Sequence, residues 1–452
     1  MEVEKAKKTY QKPTIVRLQG QLFDKHGSSG NFPLREKIDG VSVTELVQKY
    51  GSPLFIFSEA TIRKTYKQTK EAFTSRYPDV QFAWSYKTNY LKAICAIYHQ
   101  EGAIAEVVSH FEYQKARALG IAGEQIIFNG PYKGMEALRQ AAAEKAMIHL
   151  DNFDEIADLE KVADELGHTV CVALRLNMDT GIQPHWSRFG FNLDNGSALA
   201  AVKRINSNNK LKIVGLHSHI GTFMLDPNAY NIQTQKMSRF LVEIEENFGC
   251  NIEYIDIGGG FPSKNRLKGI YQPPEVVIPA IDDFAEAIVS GLLQNLGPDR
   301  RPKLYIESGR HLIDESGYLI TSVVGQKSMP DGCRSYVVDA GVNLLFTHTW
   351  YDLVVESGIP TKGLPEPAIL NGPLCMNIDI IRDSIMLPRL QKGTPLVISP
   401  VGAYNVTQWM QFIQYRPAIL LAGENGTVDI IREAEDLTDI ERREKLPDRL
   451  AL

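Results

Sequence analysis

The residues with the most chemistry in them sit at the ends of apolar runs. Phe82-Ala83-Trp84-Ser85-Tyr86 contains no glycine or proline and reads as a buried strand. Lys87 follows at once. An ammonium at the exit of a buried strand is poorly solvated, so its pKa is expected to fall, which suits an amine that forms a Schiff base. A strand-end lysine can equally lay its stem on apolar surface and send its charge to water. Four further runs end in polar or glycine residues. Glu106 and Ser109 lie near one, His217 and His219 near the next, then come Gly258-Gly259-Gly260 and Glu307-Ser308-Gly309-Arg310.

Taken singly, each has an ordinary reading: a tight turn, a surface charge, a satisfied core histidine. Taken together they fit one ligand. Three residues without side chains let backbone N–H groups close on a phosphate, and Arg310 can grip the same phosphate through two hydrogen bonds. Glu307 can hold a proton on a pyridine nitrogen, which makes the ring a sink for the electron pair of a carbanion. His219 can lie flat against an aromatic ring, and Lys87 supplies the amine. The set describes pyridoxal 5'-phosphate. With no CxxC pair, nothing points to a zinc or other metal site.

These residues need a scaffold that brings distant strand ends together. The chain has 452 residues, 44% hydrophobic and 23% charged, long enough for two domains. The formal net charge of −5 gives no electrostatic case for nucleic acid or an anionic membrane. No apolar run approaches the ~20 residues that span a bilayer. The charged N-terminus lacks the apolar core of a signal peptide, and the five cysteines are scattered. The expectation is a soluble protein of a reducing, cytoplasmic compartment.

Short apolar strands alternate with helical periodicity over residues 51–320, the strands falling near 53–57, 82–86, 103–108, 125–128, 147–150, 170–176, 213–217, 254–257 and 303–306. This pattern predicts a parallel (β/α)8 TIM-like barrel, whose chemistry collects at the C-terminal strand ends. An open doubly wound sheet is the alternative, but the glycine-rich turn that usually follows its first strand is missing. A long loop is expected after 176. Over 321–435, strand candidates at 320–324, 334–338, 367–370, 394–399 and 428–432 are separated by Gly and Pro turns and predict a second, mainly β domain. Residues 1–50 are expected to pack with that domain, and 436–452 form a charged tail.

On these motifs the chain resembles the alanine racemase-like (fold type III) pyridoxal phosphate-dependent decarboxylases, and among them the diaminopimelate decarboxylases, over about residues 40–425. The likeness rests on Tyr86-Lys87-Thr88-Asn89, Gly215-Leu216-His217-Ser218-His219-Ile220-Gly221-Thr222, Gly258-Gly259-Gly260-Phe261 and Glu307-Ser308-Gly309-Arg310. Ser308 replaces the family's usual proline. Two more segments match, Asn371-Gly372-Pro373-Leu374-Cys375-Met376-Asn377-Ile378-Asp379 and Val401-Gly402-Ala403-Tyr404. The resemblance implies that Lys87 attaches the cofactor, His219 covers its ring and Tyr404 touches its phosphate. It implies that Cys375 enters the neighbouring subunit's site and returns a proton to the substrate carbon after carbon dioxide leaves. It therefore also implies a homodimer with two shared sites.

At the substrate end the sequence departs from the pattern. Thr347 stands where diaminopimelate decarboxylases carry an arginine for the distal carboxylate, and Met376 where they carry a glutamate for the distal ammonium; Tyr351 is kept. Losing both contacts weakens selection for diaminopimelate. His185, Arg188 and His348 are candidates to compensate, and Arg310, Tyr351, Met376 and Asp379 complete the expected substrate contacts. The substrate is thus expected to be meso-diaminopimelate or a related, modified amino acid. Two alternatives share the fold. An amino acid racemase would lack a segment like that of Cys375. An inactive regulatory relative is argued against by the retained Lys87, His219, Glu307, Arg310, Cys375 and Tyr404.

Overall fold

The computed structural model describes residues 32–451 apart from Gln183, His185, Tyr271 and Pro298. Eight parallel strands follow one another around a barrel: Leu211–Ser218, Tyr254–Asp256, Lys303–Ser308, Val80–Ser85, Ile104–Val107, Ile126–Phe128, Met147–Leu150 and Val170–Asn177. The last pairs back onto the first, from Leu211 opposite Val170 to Ser218 opposite Leu176, so the barrel is closed. Its outer helices are amphipathic. Glu59–Thr74 buries Ile62, Tyr66, Thr69, Ala72 and Phe73, the spacing of one helix face, and Ser58 caps it by accepting from the Thr61 N–H at 3.0 Å.

Two features differ from the sequence expectation. The strand Leu54–Ser58, counted above with the barrel strands, belongs to the second sheet. It pairs antiparallel with Gly317–Ser328 and parallel with Ile419–Ala422. All five of its residues are buried. A strand covered on both faces gives the same uninterrupted apolar run as a barrel strand, and only its pairing partners tell the two apart. The helix Ser197–Asn206 occupies the stretch expected to be a long loop. It buries Ala198, Ala201, Val202 and Ile205, but Gly196 at its start has a φ of 82° and offers no capping side chain. Asn195-Gly196-Ser197 therefore reads as a turn.

Gly317–Ser328 is the hub of the second sheet and pairs with Leu54–Ser58, Arg334–Val338 and Pro395–Ser399. Strands at Val354–Ser357, Ile380–Leu387 and Ile419–Ala422 were not anticipated. Within the leading segment, helix Val43–Tyr50 buries Val43 and Leu46 in one cluster with Leu54, Ile56, Ile320 and Val397; residues 1–31 lie outside the described residues. The tail carries a short exposed helix, Leu437–Glu441. Among the described residues no helix is long and apolar enough to cross a membrane.

Because Phe57 is fully buried in the strand shared by both neighbours of the second sheet, Phe57→Ala is expected to destabilise the protein by about 3–5 kcal/mol. Chemical denaturation measures this; a loss below about 1 kcal/mol would put the strand outside the core.

Candidate active site

Lys87 sits two residues beyond the barrel strand that ends at Ser85. The Thr88 N–H closes the turn on the Ser85 carbonyl at 3.0 Å, and the Trp84 indole donates to the Asn89 carbonyl at 3.2 Å. Trp84 stacks on Tyr98 of helix Lys92–Gln100, ring centroids 3.8 Å apart, which ties the turn to the barrel wall. The loop after strand Pro395–Ser399 of the second sheet holds the same turn from the other side. Thr407 Oγ1 donates to the Lys87 carbonyl and the Tyr404 N–H to the Thr88 carbonyl, both at 2.9 Å.

The Lys87 ammonium forms an ion pair with Glu106, which lies on the neighbouring strand Ile104–Val107. Here the structure corrects the sequence reading. Burial does act to lower the Lys87 pKa, but the charge of Glu106, helped by Glu307 and Tyr404, outweighs it and the pKa is raised. Free of cofactor, Lys87 is a charged ammonium, and Glu106 is the base in contact with it.

The two side chains open on a cavity of about 770 Å³. His219 enters from the end of strand Leu211–Ser218, and its Nδ1 accepts from the Gly259 N–H at 2.9 Å. Burial, followed by the charge of Lys87, pushes the His219 pKa down to about 3. The ring is therefore neutral with its proton on Nε2. The glycine segment passes between His219 and Glu307 with no room for side chains. A Cβ on Gly259 would lie 1.9 Å from the Glu307 carbonyl oxygen, and one on Gly258 2.7 Å from His219 Nδ1. Gly260, at a φ of 99°, would meet the Gly221 carbonyl at 2.3 Å. The phosphate cradle is narrower than expected. Asp256 Oδ1 takes the Gly258 N–H at 2.8 Å and His219 takes that of Gly259, so of the three only the Gly260 N–H has no partner among the described residues.

Arg310 is 7% exposed, yet its Nε and Nη1 make no hydrogen bond. Asp314 is 3.9 Å away, and the guanidinium lies 4.8 Å from the Tyr404 ring centroid and 5.4 Å from that of Tyr351. Buried cationic donors without an acceptor are costly, and an anion relieves that cost. Gly260, Gly309 and Tyr404 line a small recess beside them. Glu307 accepts from the Asn129 amide. Behind it stand His149, His217 and Asp256, all buried, with one ligating atom of each of the four groups within 4.8 Å of the others. Burial holds both histidines well below their ordinary pKa, and burial together with the charge of Glu307 raises that of Asp256. Burial thus disfavours the charged form of each group behind Glu307. These residues fit pyridoxal 5'-phosphate: an anion for Arg310 and Gly260, a protonated ring nitrogen for Glu307, a flat ring for His219, and an aldehyde for Lys87.

Residues 59–314 match the family model described as pyridoxal-dependent decarboxylase, pyridoxal binding domain. The chain belongs to the pyridoxal-dependent decarboxylases. The diaminopimelate decarboxylase of Bacillus subtilis is 30% identical over 423 residues, covering 89% of this chain and 94% of that protein. Its counterpart in Methanocaldococcus jannaschii is 29% identical over 428 residues, 91% of this chain and 95% of that protein. A crystal structure of the M. jannaschii diaminopimelate decarboxylase has a TM-score of 0.85 to this one at 28% identity, covering 93% of this chain and 99% of the other. The barrel with its second, mainly β sheet is the fold they share. The protein is a pyridoxal phosphate-dependent carboxy-lyase acting on an amino acid.

When bound, the cofactor supplies an aldehyde for an amine and a protonated ring that accepts the electron pair left behind by carbon dioxide. This decarboxylase contributes the rest through its own side chains. With the cofactor in place, Glu106 would be the nearest acceptor for the Lys87 proton, Lys87 would offer its amine to the aldehyde, Glu307 would hold the ring-nitrogen proton, and His219 would cover one face of the ring.

Of the residues expected at the substrate, Arg310 and Tyr351 line the cavity, whereas Arg188, His348, Cys375, Met376 and Asp379 do not. Arg188 is exposed and lies 5.1 Å from the centroid of the Phe189 ring. His348 turns its Nδ1 back to the Leu345 carbonyl at 2.8 Å. Asp379 is buried and accepts the Val342 N–H at 2.8 Å and the Leu374 N–H at 2.7 Å, so its carboxylate shapes the loop that carries the exposed Cys375. Thr347 is buried and donates to Asn405 Oδ1 through its hydroxyl at 3.1 Å and its N–H at 3.0 Å. His185 lies outside the described residues. Asn129, Arg175, Trp186 and Lys268 line the cavity and were missed. Asn129 directly follows the strand Ile126–Phe128, so the strand-end rule applied to every strand would have found it.

The neutral His219 has a thermodynamic signature. The unfolded chain takes up a proton here as the pH falls through the ordinary value of 6.5, whereas the folded chain does so only near 3. Stability from this site is present above the unfolded value and is lost as the pH falls between the two. Thermal melts of the cofactor-free protein should therefore show wild type losing stability relative to His219→Asn on acidification. A pH-independent difference would mean that the ring titrates normally.

Proposed function

We propose that the chain removes the α-carboxylate of a diaminopimelate-type amino acid, working as a homodimer in which each Cys375 serves the partner's site. The observation that carries the reading is one cavity holding the Lys87 amine, the Glu307 carboxylate and a buried Arg310 guanidinium without an acceptor. The relatives support the substrate. They are diaminopimelate decarboxylases, and the M. jannaschii structure is also known in complex with L-lysine, which is the product of that decarboxylation. The dimer is supported by Cys375, which is exposed and does not line the active-site cavity, and by the exposed Ile378 and Ile380 of the same segment. Five free cysteines suit a reducing cytoplasm. Thr347, bound to Asn405 where a carboxylate-binding arginine was expected, favours a second reading: a substrate with a modified distal end.

Carbon dioxide release from meso-diaminopimelate, L-lysine, L-ornithine, L-arginine and glutamyl derivatives tests the reaction, and silence across the panel would sink it. Lys87→Ala is expected to abolish both turnover and the visible absorbance of the lysine-bound cofactor. Cys375→Ala should lower turnover by about 10²–10⁴-fold with the absorbance kept. Mixed dimers of these two inactive variants should recover activity, since one of their two sites then holds both an intact lysine and an intact cysteine; mixtures as inactive as the parents would exclude shared sites.

A further inference from the structure

We propose that Lys268 is the specificity residue for the distal end of the substrate, and that it selects amino acids whose side chain ends in an anion. The inference rests on the decarboxylase reading above and deepens it. Six charged side chains line the cavity: Lys87, Glu106, Arg175, Lys268, Glu307 and Arg310. Five are committed. Lys87 and Glu106 neutralise each other. Arg175 is paired with Asp151 at 3.2 Å. Glu307 is bonded to Asn129 and would hold the ring-nitrogen proton, and Arg310 stands 3.9 Å from Asp314 and would take the phosphate. Of the four cations, Lys268 alone has no ion pair among the described residues.

Its backbone is fixed, although its side chain reaches water. The Lys268 N–H donates to the Trp350 carbonyl at 2.9 Å, and Leu267 bridges to Tyr351. Leu267, Lys268, Trp350 and Tyr351 thus form one piece of cavity wall. Among the described residues no cavity carboxylate is left over for a distal ammonium: Glu106 and Glu307 are taken, and Asp379 has both oxygens on backbone N–H groups outside the cavity. Thr347 gives its hydroxyl to Asn405. A substrate ending in a cation would therefore meet like charge with no compensation, whereas one ending in a carboxylate finds the single uncommitted ammonium. Attraction and repulsion act in the same direction, which is how selectivity is made.

The discriminating pair is L-2-aminopimelate, which ends in a carboxylate, and L-lysine, which ends in an ammonium. Their dissociation constants on the cofactor-loaded protein are measured by calorimetry for wild type, Lys268→Met and Lys268→Arg. Wild type is expected to prefer aminopimelate. Lys268→Met should weaken aminopimelate binding by about tenfold, the size of a charged hydrogen bond discounted for exposure, and leave lysine unchanged or tighter. Lys268→Arg should restore the preference. For any turned-over substrate with a distal carboxylate, the loss should fall on KM rather than kcat. Equal constants for the two ligands in wild type, or an equal change for both in Lys268→Met, would overturn the assignment. The constants are equilibrium quantities, so they decide the role of Lys268 even if no amino acid releases carbon dioxide, the result that would overturn the reaction instead.

Discussion

Besides Lys268, whose side chain reaches water, three cations line the cavity, and each must find a counter-charge. Removing an ion from water costs several kcal/mol, and only a well-placed partner offsets it. The fold answers for two of the three. Glu106 meets Lys87 and Asp151 meets Arg175. For Arg310 it provides aromatic rings and a distant aspartate but no acceptor on Nε or Nη1. An anion carried by a ligand would meet that demand, and a phosphate would fit there. With it bound, the Gly260 N–H, Glu307 and His219 would be placed to set the direction of the ring. The glycine segment follows from the same constraint, because the strand ends bearing His219 and Glu307 approach too closely to admit a Cβ between them.

The Lys87–Glu106 pair also sets the order of events. A charged ammonium cannot attack an aldehyde, so the pair stores the amine in its inert state until a proton is removed. Glu106 is positioned for that removal. The raised pKa is the cost such a transfer would have to meet, because the same Glu106 charge stabilises the ammonium.

Much of the site was legible because a polar residue after an apolar run marks a strand exit, and in a barrel the exits converge. That logic located Lys87, His219, the glycines and Glu307 from residue type alone. It failed where pairing or distance decides. The burial of Leu54–Ser58 is the same in either sheet, and no property of the strand itself records its neighbours. The Lys87 pKa moved the other way because its partner lies on another strand, 19 residues on. Asp379 belongs to a recognisable motif, yet its oxygens close a loop, which only the backbone positions reveal. Lys268 follows no predicted strand end, and its significance appears only when the other charges have been assigned.

The turn bearing Lys87 is held by hydrogen bonds from Tyr404 and Thr407, residues that follow strand Pro395–Ser399 of the second sheet rather than any part of the barrel. The amine is therefore located on a seam between two units, the barrel and the second sheet, and not inside one of them. A lineage can vary the outer faces of either unit freely, but it cannot exchange one unit for a foreign copy without re-establishing both contacts. In evolutionary terms the barrel and its companion sheet are expected to travel together, inherited as a pair.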